Sequence, residues 1–340
     1  MKMGGASTPG NAPAELGRSL HAVHLPVGRW MTCLQGSQTY GERSVPVPEP
    51  DVVVIGAGPA GIAAAIQLQR YGIRFAMIER HRIGGLLWNA NLVENYPGFP
   101  SGVSGPRLVA LFRKHMTTLG VEALLDEVTS VDVENRHLVA RTRSREYTPQ
   151  VVVVASGTMP RPVPLHVPTE LGDRVFSEIS PIWSVRGKHV VIVGAGDAAL
   201  DHALRLLQHN LVTLLHRSQD IQGLPLLWQR ARSFAGFNHR AETSVLAIAG
   251  SVSGLGLTVL CENHGSESNL SADYVIFALG RQPCLDFLSN RAREQEKRLL
   301  ERGQLYYVGD VRNGSLRQTA IAAGDGLRAA MQISDARSGR

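Results

Sequence analysis

Cysteine is scarce in this chain: three in 340 residues, at positions 33, 261 and 284. The number is odd and the spacings are wide, so neither a disulfide framework nor a zinc site is suggested. A reducing cytoplasm is the expected location. Long apolar runs are missing as well, and without one no membrane span is expected. Charged residues make up 19% of the chain, and the excess of six positive charges is spread along it. With no basic stripe and no interleaved aromatics, a nucleic-acid partner is not expected. Residues 1–47 lack a sustained period and are rich in Gly, Pro and Ser. They read as a flexible extension. His21, His24 and Cys33 within them have no fourth ligand at metal spacing, so no metal is expected.

Glycine, in contrast, is abundant at 35 residues, and it recurs in one pattern. Asp51-Val-Val-Val-Ile-Gly56-Ala-Gly58-Pro59-Ala60-Gly61 and Val190-Val-Ile-Val-Gly194-Ala-Gly196-Asp197-Ala198-Ala199 are each an apolar run, a G-x-G-x-x-G/A turn and an Ala/Leu-rich helical stretch. That is the opening of a dinucleotide-binding βαβ unit. Gly56 permits the tight turn, Gly58 presents no side chain to a pyrophosphate, and Gly61 lets the helix approach the strand. The helix N-terminus then offers free N–H groups to phosphates. A helix over Gly61–Tyr71 and a strand over Arg74–Ile78 lead to Glu79, an acid about 20 residues beyond the glycines, suited to a ribose diol. Two such units in one chain imply two bound dinucleotides with electrons moving between them.

The remaining segments alternate in the same way. A Gly/Asn/Pro-rich loop runs from Gly84 to Gly98, followed by a helix over Gly105–Leu119 with Leu108, Leu111, Phe112 and Met116 on one face. Strands are expected at Val128–Val133, Leu138–Arg143 and Gln150–Ala155, the last leading into Ala155-Ser-Gly157. The second unit starts at Lys188 and holds a helix over Ala198–His209. Strands follow at Leu211–Leu215, Ser244–Ala249, Leu255–Cys261 and Tyr274–Ala278. Gly280 repeats the turn seen at Gly157. The chain closes with Gly309-Asp310 and a helix over Gln318–Ala330. The fold class is therefore α/β, with two Rossmann-like (three-layer ββα) dinucleotide-binding domains, the second inserted in the first. The expected boundaries are 48–157 plus 284–340 for one domain and 158–283 for the other.

From Asp51 to about Ser334 the chain resembles the low-molecular-weight thioredoxin reductase family of flavoproteins. The resemblance rests on Gly56–Gly61, on Gly84-Gly85 followed by Glu94-Asn95-Tyr96-Pro97-Gly98-Phe99-Pro100, and on Ala155-Ser-Gly157. It extends to Gly194-Ala-Gly196, His216-Arg217, and Gly309-Asp310 with Arg317-Gln318-Thr319-Ala320. It implies FAD in the discontinuous domain, NADPH or NADH in the inserted one, and a homodimer. It further implies that Asp310 meets the ribityl or phosphate region and that Gln318 and Thr319 sit at the flavin ring. Arg80, Gly85, Leu86, Asn95, Val128, Ala155, Gly157, Gly309 and Arg317 join the FAD residues on the same ground, and Gly280 the nucleotide residues. Only Arg217 stands where the family carries several arginines for a 2′-phosphate, which is a slight lean to NADPH.

One departure is chemical. Where the family has Cys-x-x-Cys, the chain reads Ser177-Glu-Ile-Ser180, and the acid expected next is Pro181. A hydroxyl cannot cycle through a disulfide. The expectation is thus an NAD(P)H-dependent flavin enzyme that is not a thioredoxin reductase, with a redox protein, a quinone, a small organic molecule or oxygen as acceptor. The alternative is a sensory or non-catalytic flavoprotein. Trp88, in the altered loop Leu86–Asn89, is the candidate acceptor-site residue beside Ser177 and Ser180, with packing in the core as the other reading. Trp183 is a weaker candidate for the same pocket.

Overall fold

The computed structural model describes residues 49–251 and 256–339. The expected extension over 1–47, with His21, His24 and Cys33, lies outside the described residues.

Two five-stranded parallel sheets organise the described chain. In the first, the spatial order is Leu305–Tyr307, Val151–Val154, Val52–Ile55, Phe75–Glu79, Ala123–Leu125. In the second it is Val175–Phe176, Tyr274–Phe277, His189–Val193, Leu211–Leu215, Phe237–Arg240. Each sheet therefore has a glycine-turn strand at its centre, flanked by the strand that follows its helix and by a late strand. The central strands are runs of β-branched residues buried on both faces, as parallel strands covered by other layers must be. Each unit also carries a three-stranded antiparallel sheet, Val128–Glu134 with His137–Thr142 and Glu146–Tyr147, and Thr243–Gly250 with Leu257–Asn263 and Ser266–Ala272. Helix, parallel sheet and antiparallel sheet form the three layers.

Helix α1 (Pro59–Arg70) opens with proline at its first position, where the missing N–H costs nothing and φ is already helical. Its small residues let the C-terminal helix Thr319–Ser338 come close. A Cβ on Gly326 would stand 2.0 Å from the Ala60 carbonyl oxygen, so glycine is obligatory at that crossing. Below them Val52, Val54, Leu68, Met77 and Ile333 fill one core. Helix α2 (Gly105–Thr118) puts Leu108 and Val109 against the Gly84–Gly98 loop. In the second unit, helices α3 (Asp197–Leu206) and α4 (Pro225–Arg232) cover the sheet over Ile192, Leu200, Leu214 and Ala231.

Two segments connect the units, and they pair with each other. Thr158–Pro160 and Arg281–Pro283 form an antiparallel ribbon with Thr158 opposite Pro283. Departures from the sequence reading are local. The C-terminal helix runs to Ser338 rather than Ala330. A 3-10 turn over Gly85–Asn89 interrupts the expected irregular loop. Helix α4 and the strand Ser266–Ala272 were not expected at all.

Candidate functional site

The two glycine turns are built alike. Gly56 has φ +101°, and a Cβ there would lie 2.5 Å from the Ala155 carbonyl oxygen; Gly194 has φ +144°, and its Cβ would lie 2.5 Å from that of Ala278. Each turn is thus pressed onto the neighbouring late strand, at a left-handed backbone position that glycine alone adopts freely. Gly61 is tighter still, its Cβ position 1.9 Å from the Gly56 oxygen. Gly58 and Gly196 face open space instead. These two therefore answer to something outside the protein's own packing. Gly85, brought round after the left-handed Gly84, comes up against Gly58, with its Cβ position 3.3 Å from the Gly58 Cα. The crevice between them is lined by backbone, the surface a pyrophosphate requires.

Glu79 ends its strand beside this turn. One carboxylate oxygen accepts the Ala57 N–H at 2.8 Å and the other the His81 N–H at 2.9 Å. It braces the phosphate turn and keeps further lone pairs for a diol. Arg80 is exposed next to it, and Val128 is buried under the first sheet. On the far side of the crevice Gly309-Asp310 begins a 3-10 turn. Burial raises the Asp310 carboxyl, opposed by the positive charges of Arg317 and Arg281. Asp325, not foreseen from sequence, holds this turn: its Oδ2 accepts the Gly309 N–H at 3.2 Å and the Asn313 side-chain amide at 2.7 Å. Asn95 donates to the Gln318 side-chain oxygen at 2.6 Å, joining two sequence-distant candidates, and Thr319 opens the C-terminal helix.

At the second turn, Asp197 is the first residue of α3 and accepts the Leu224 N–H at 2.7 Å. Ala198 is exposed beside it, and Arg217 is exposed beyond the strand Leu211–Leu215. His216 is buried, its Nε2 2.6 Å from Nε2 of His239, with the rings stacked at 4.8 Å. One ring donates to the other, so at least one is neutral. Burial pushes both imidazoles below their ordinary range. His239 was missed because its strand, Phe237–Arg240, shows no apolar alternation.

The Ser177–Ser180 segment leads into a short 3-10 turn, Ser180–Ile182, with Ile179 fully buried. Asn89 reaches it from the glycine loop: its Nδ2 donates to Glu178 Oε2 at 3.0 Å and its Oδ1 accepts the Ser180 N–H at 3.1 Å. Trp88, the sequence candidate, is placed differently. Its indole N–H donates to the Ile83 carbonyl at 2.9 Å, Arg82 lies over the ring, and it lines a hollow with Glu79 and Arg113. Leu86 is half-buried. Trp183 stacks under Arg205. Among the described residues no group of three or more His, Cys, Asp or Glu could hold a metal, and no helix is long and apolar enough to cross a membrane.

Comparison with known proteins extends this picture. The family model described as pyridine nucleotide-disulphide oxidoreductase matches residues 50–326. The chain is 30% identical over 295 residues to the thioredoxin reductase of Bacillus subtilis, covering 83% of this chain and 93% of that protein. It is 28% identical over 293 residues to that of Treponema pallidum, 82% and 94%. Among solved structures, Lactococcus lactis thioredoxin reductase in its FR conformation superposes with a TM-score of 0.76 at 25% identity, over 86% of this chain and 100% of that one. These relatives overturn the expectation of a reductase with a non-disulfide acceptor, and with it the sensory alternative. Serine at 177 and 180 does not separate the chain from relatives that bear the name thioredoxin reductase over most of their length.

The cofactors are FAD and NADPH or NADH, and the residues present fit them. Gly58 and Gly196 leave room where a Cβ would otherwise project, each at the N-terminus of a helix, and Glu79 and Asp310 flank the first crevice. A chain that carries both glycine turns within the matched span belongs to the pyridine nucleotide-disulphide oxidoreductase family and is an NAD(P)H-dependent flavin oxidoreductase.

Proposed function

We propose that this chain is a disulfide reductase of the thioredoxin reductase type. The Gly194 turn would hold NAD(P)H and the Gly56 turn FAD, whose redox chemistry would carry electrons from the nucleotide to a disulfide. The observation that carries the reading is the pair of equivalent glycine turns in one chain, each pressed to 2.5 Å against the carbonyl of a late strand. The bacterial relatives support a disulfide as acceptor. FAD supplies the hydride and electron chemistry when bound, and the protein supplies binding and orientation. Residues 48–157 plus 284–340 would hold it, and 158–283 the nicotinamide nucleotide, in a cytoplasmic homodimer.

The disulfide itself comes from the acceptor. Ser177 and Ser180 offer only hydroxyls. Cys261 and Cys284 are buried, and burial pushes both thiols above their ordinary range, away from the reactive thiolate. In this reading Ser177 and Ser180 line the place where the acceptor docks, and Trp88 borders the same loop. The deciding experiment is anaerobic titration of the yellow protein with NADPH and NADH, then addition of oxidised thioredoxin and of a low-molecular-weight aromatic disulfide. Flavin bleached by the nucleotide and restored by a disulfide supports the proposal. Flavin that stays reduced in the presence of every disulfide overturns it.

A further inference from the structure

The segment between Asn89 and Glu94 makes three separate attachments to the second unit within six residues. Asn89 holds Glu178 and the Ser180 N–H, as described above. The Asn91 N–H donates to Asp201 Oδ2 on α3 at 2.7 Å. The Glu94 carboxylate takes both terminal nitrogens of Arg230 on α4, one at 3.0 Å, in a forked pair. The three targets belong to three different elements of the second unit. The segment is also rigid at its own root: Val93 and Val103 exchange backbone hydrogen bonds at 2.8 and 3.0 Å, the Gly105 N–H reaches the Ala90 oxygen at 3.0 Å, and Asn95 is tied to Gln318. A second set of polar contacts lies along the connecting ribbon. There Arg281 binds Thr158 through its side-chain and backbone oxygens at 2.9 and 2.8 Å and Glu178 Oε1 at 2.9 Å.

The geometry points to an interdomain clasp: Asn89, Asn91 and Glu94 hold the second unit in one orientation through Glu178, Asp201 and Arg230. A ribbon of two short strands leaves orientation weakly determined, because its antiparallel pairing is local to the hinge. Three attachments spread over a segment, a helix and a second helix determine it. They also act together, since each holds the same short arm, so their contributions are not additive. Glu178 is the member that joins arm to ribbon, because its two oxygens are divided between Asn89 and Arg281. The position between the two serines thereby has a structural task of its own. The clasp concerns the orientation of the second unit and stands apart from the acceptor proposed above.

Spin labels at Lys114→Cys on α2 and Glu267→Cys in the second unit, both exposed, in a Cys33→Ser chain, report the distance between units by pulsed dipolar spectroscopy. The intact clasp is expected to give one dominant distance. Arg230→Glu sets two carboxylates against each other at an exposed position, and combined with Asn89→Ala it should raise the population of other distances about tenfold, as loss of roughly one to two net hydrogen bonds would. Glu94→Arg with Arg230→Glu re-forms the pair with its charges exchanged and should return the distribution to that of the parent. An unchanged distribution in Asn89→Ala/Arg230→Glu, with circular dichroism showing a folded chain, overturns the clasp. So does a charge-exchanged variant as broad as Arg230→Glu alone.

Discussion

At the scale of single residues, the glycines divide by what surrounds them. Gly61 is required by the protein, because its Cβ would stand 1.9 Å from a backbone oxygen, while Gly58 has nothing within 4 Å. The two therefore fail differently when enlarged. Gly58→Val should fold and melt within about 1 kcal/mol of the FAD-stripped parent, yet purify colourless, because the side chain fills the pyrophosphate crevice. Gly61→Val should lose on the order of 3 kcal/mol or more and accumulate as insoluble chain, since overpacking against backbone cannot relax. Flavin absorbance per chain and a thermal melt separate the outcomes, and flavin retained at full stoichiometry by Gly58→Val would remove the first crevice as the FAD site. Arg217 has a comparable test. It is exposed beside His216, and a charge-assisted contact to a 2′-phosphate is worth about 1.5–3 kcal/mol. Arg217→Ala should weaken NADPH binding roughly 10- to 100-fold and leave NADH nearly unchanged, measured by direct titration of nucleotide fluorescence.

At the scale of the element, helix α3 carries two neighbours, half-buried Asp201 and buried His202, with opposed responses to pH. Burial pushes the Asp201 carboxyl up to about 6, opposed by the Asn91 and Leu92 backbone N–H groups and reinforced by Glu94. Burial pushes the His202 imidazole down to about 4, with Glu178 acting against that shift and Arg281 with it. An acid whose folded pKa is raised contributes stability at low pH, fully present below about 4 and lost as pH rises through about 6. A base whose folded pKa is depressed contributes stability above about 6.5 and loses it as pH falls through about 4. Each effect has an upper bound of about 3 kcal/mol, and over the window from about 4 to 6.5 they oppose each other. Wild-type stability should accordingly be flat across that window. Asp201→Asn removes one side of the balance, so its stability should fall steeply on acidification below about pH 6.5, while it gains on the parent at pH 7.5. Denaturant melts at pH 7.5, 6 and 4.5 provide the check, and parallel curves for parent and variant would refute the opposition.

The same scale shows what local pattern conveys. The strand Leu211–Leu215 is legible to the residue, because a continuous apolar run between a helix end and His216 has one reading. The strand Ser266–Ala272 is not, because of its seven residues only Ala272 is buried and no alternation marks it. Helix α4 is eight residues long and begins with proline, too short for periodicity to register. Glu79, Gly56 and Gly194 stood out because motif spacing is local. Asn89, Asp201, Asp325 and His239 did not, since no motif fixes the spacing to their partners, which lie 89, 110, 16 and 23 residues away. Trp88 drew attention by its size, yet its indole is satisfied by a carbonyl five residues away, and the smaller neighbour makes the long-range contact.

At the scale of the molecule, the absence of a thiol pair at 177 and 180 has a measurable consequence for the proposed reductase. Both positions are half-buried, Ser177 ahead of the 3-10 turn and Ser180 at its start, and neither hydroxyl makes a hydrogen bond among the described residues. Ser177→Cys with Ser180→Cys should therefore be accommodated, form an internal disulfide, and raise turnover with thioredoxin severalfold over the parent. A titration showing two further electrons taken up per chain before flavin reduction would confirm that the new pair communicates with the flavin. A pair that stays oxidised under NADPH would show that the segment is held away from it.

The paired connecting strands carry one further consequence, for how such a chain can be cut and rejoined. Thr158 lies opposite Pro283 in an antiparallel ribbon, so the points where the chain leaves the first sheet and returns to it are about 5 Å apart. The 124 intervening positions, 159 to 282, form an excursion whose two ends meet. Replacing them with a two-residue Asn-Gly turn would leave a continuous polypeptide that keeps both glycine turns of the first crevice, Glu79 and Asp310, and loses the Arg281 charge that faces Asp310. That minichain should remain yellow and inert to nicotinamide nucleotides, and the excised piece is a portable cassette whose exchange between relatives would transplant nucleotide preference without disturbing the flavin.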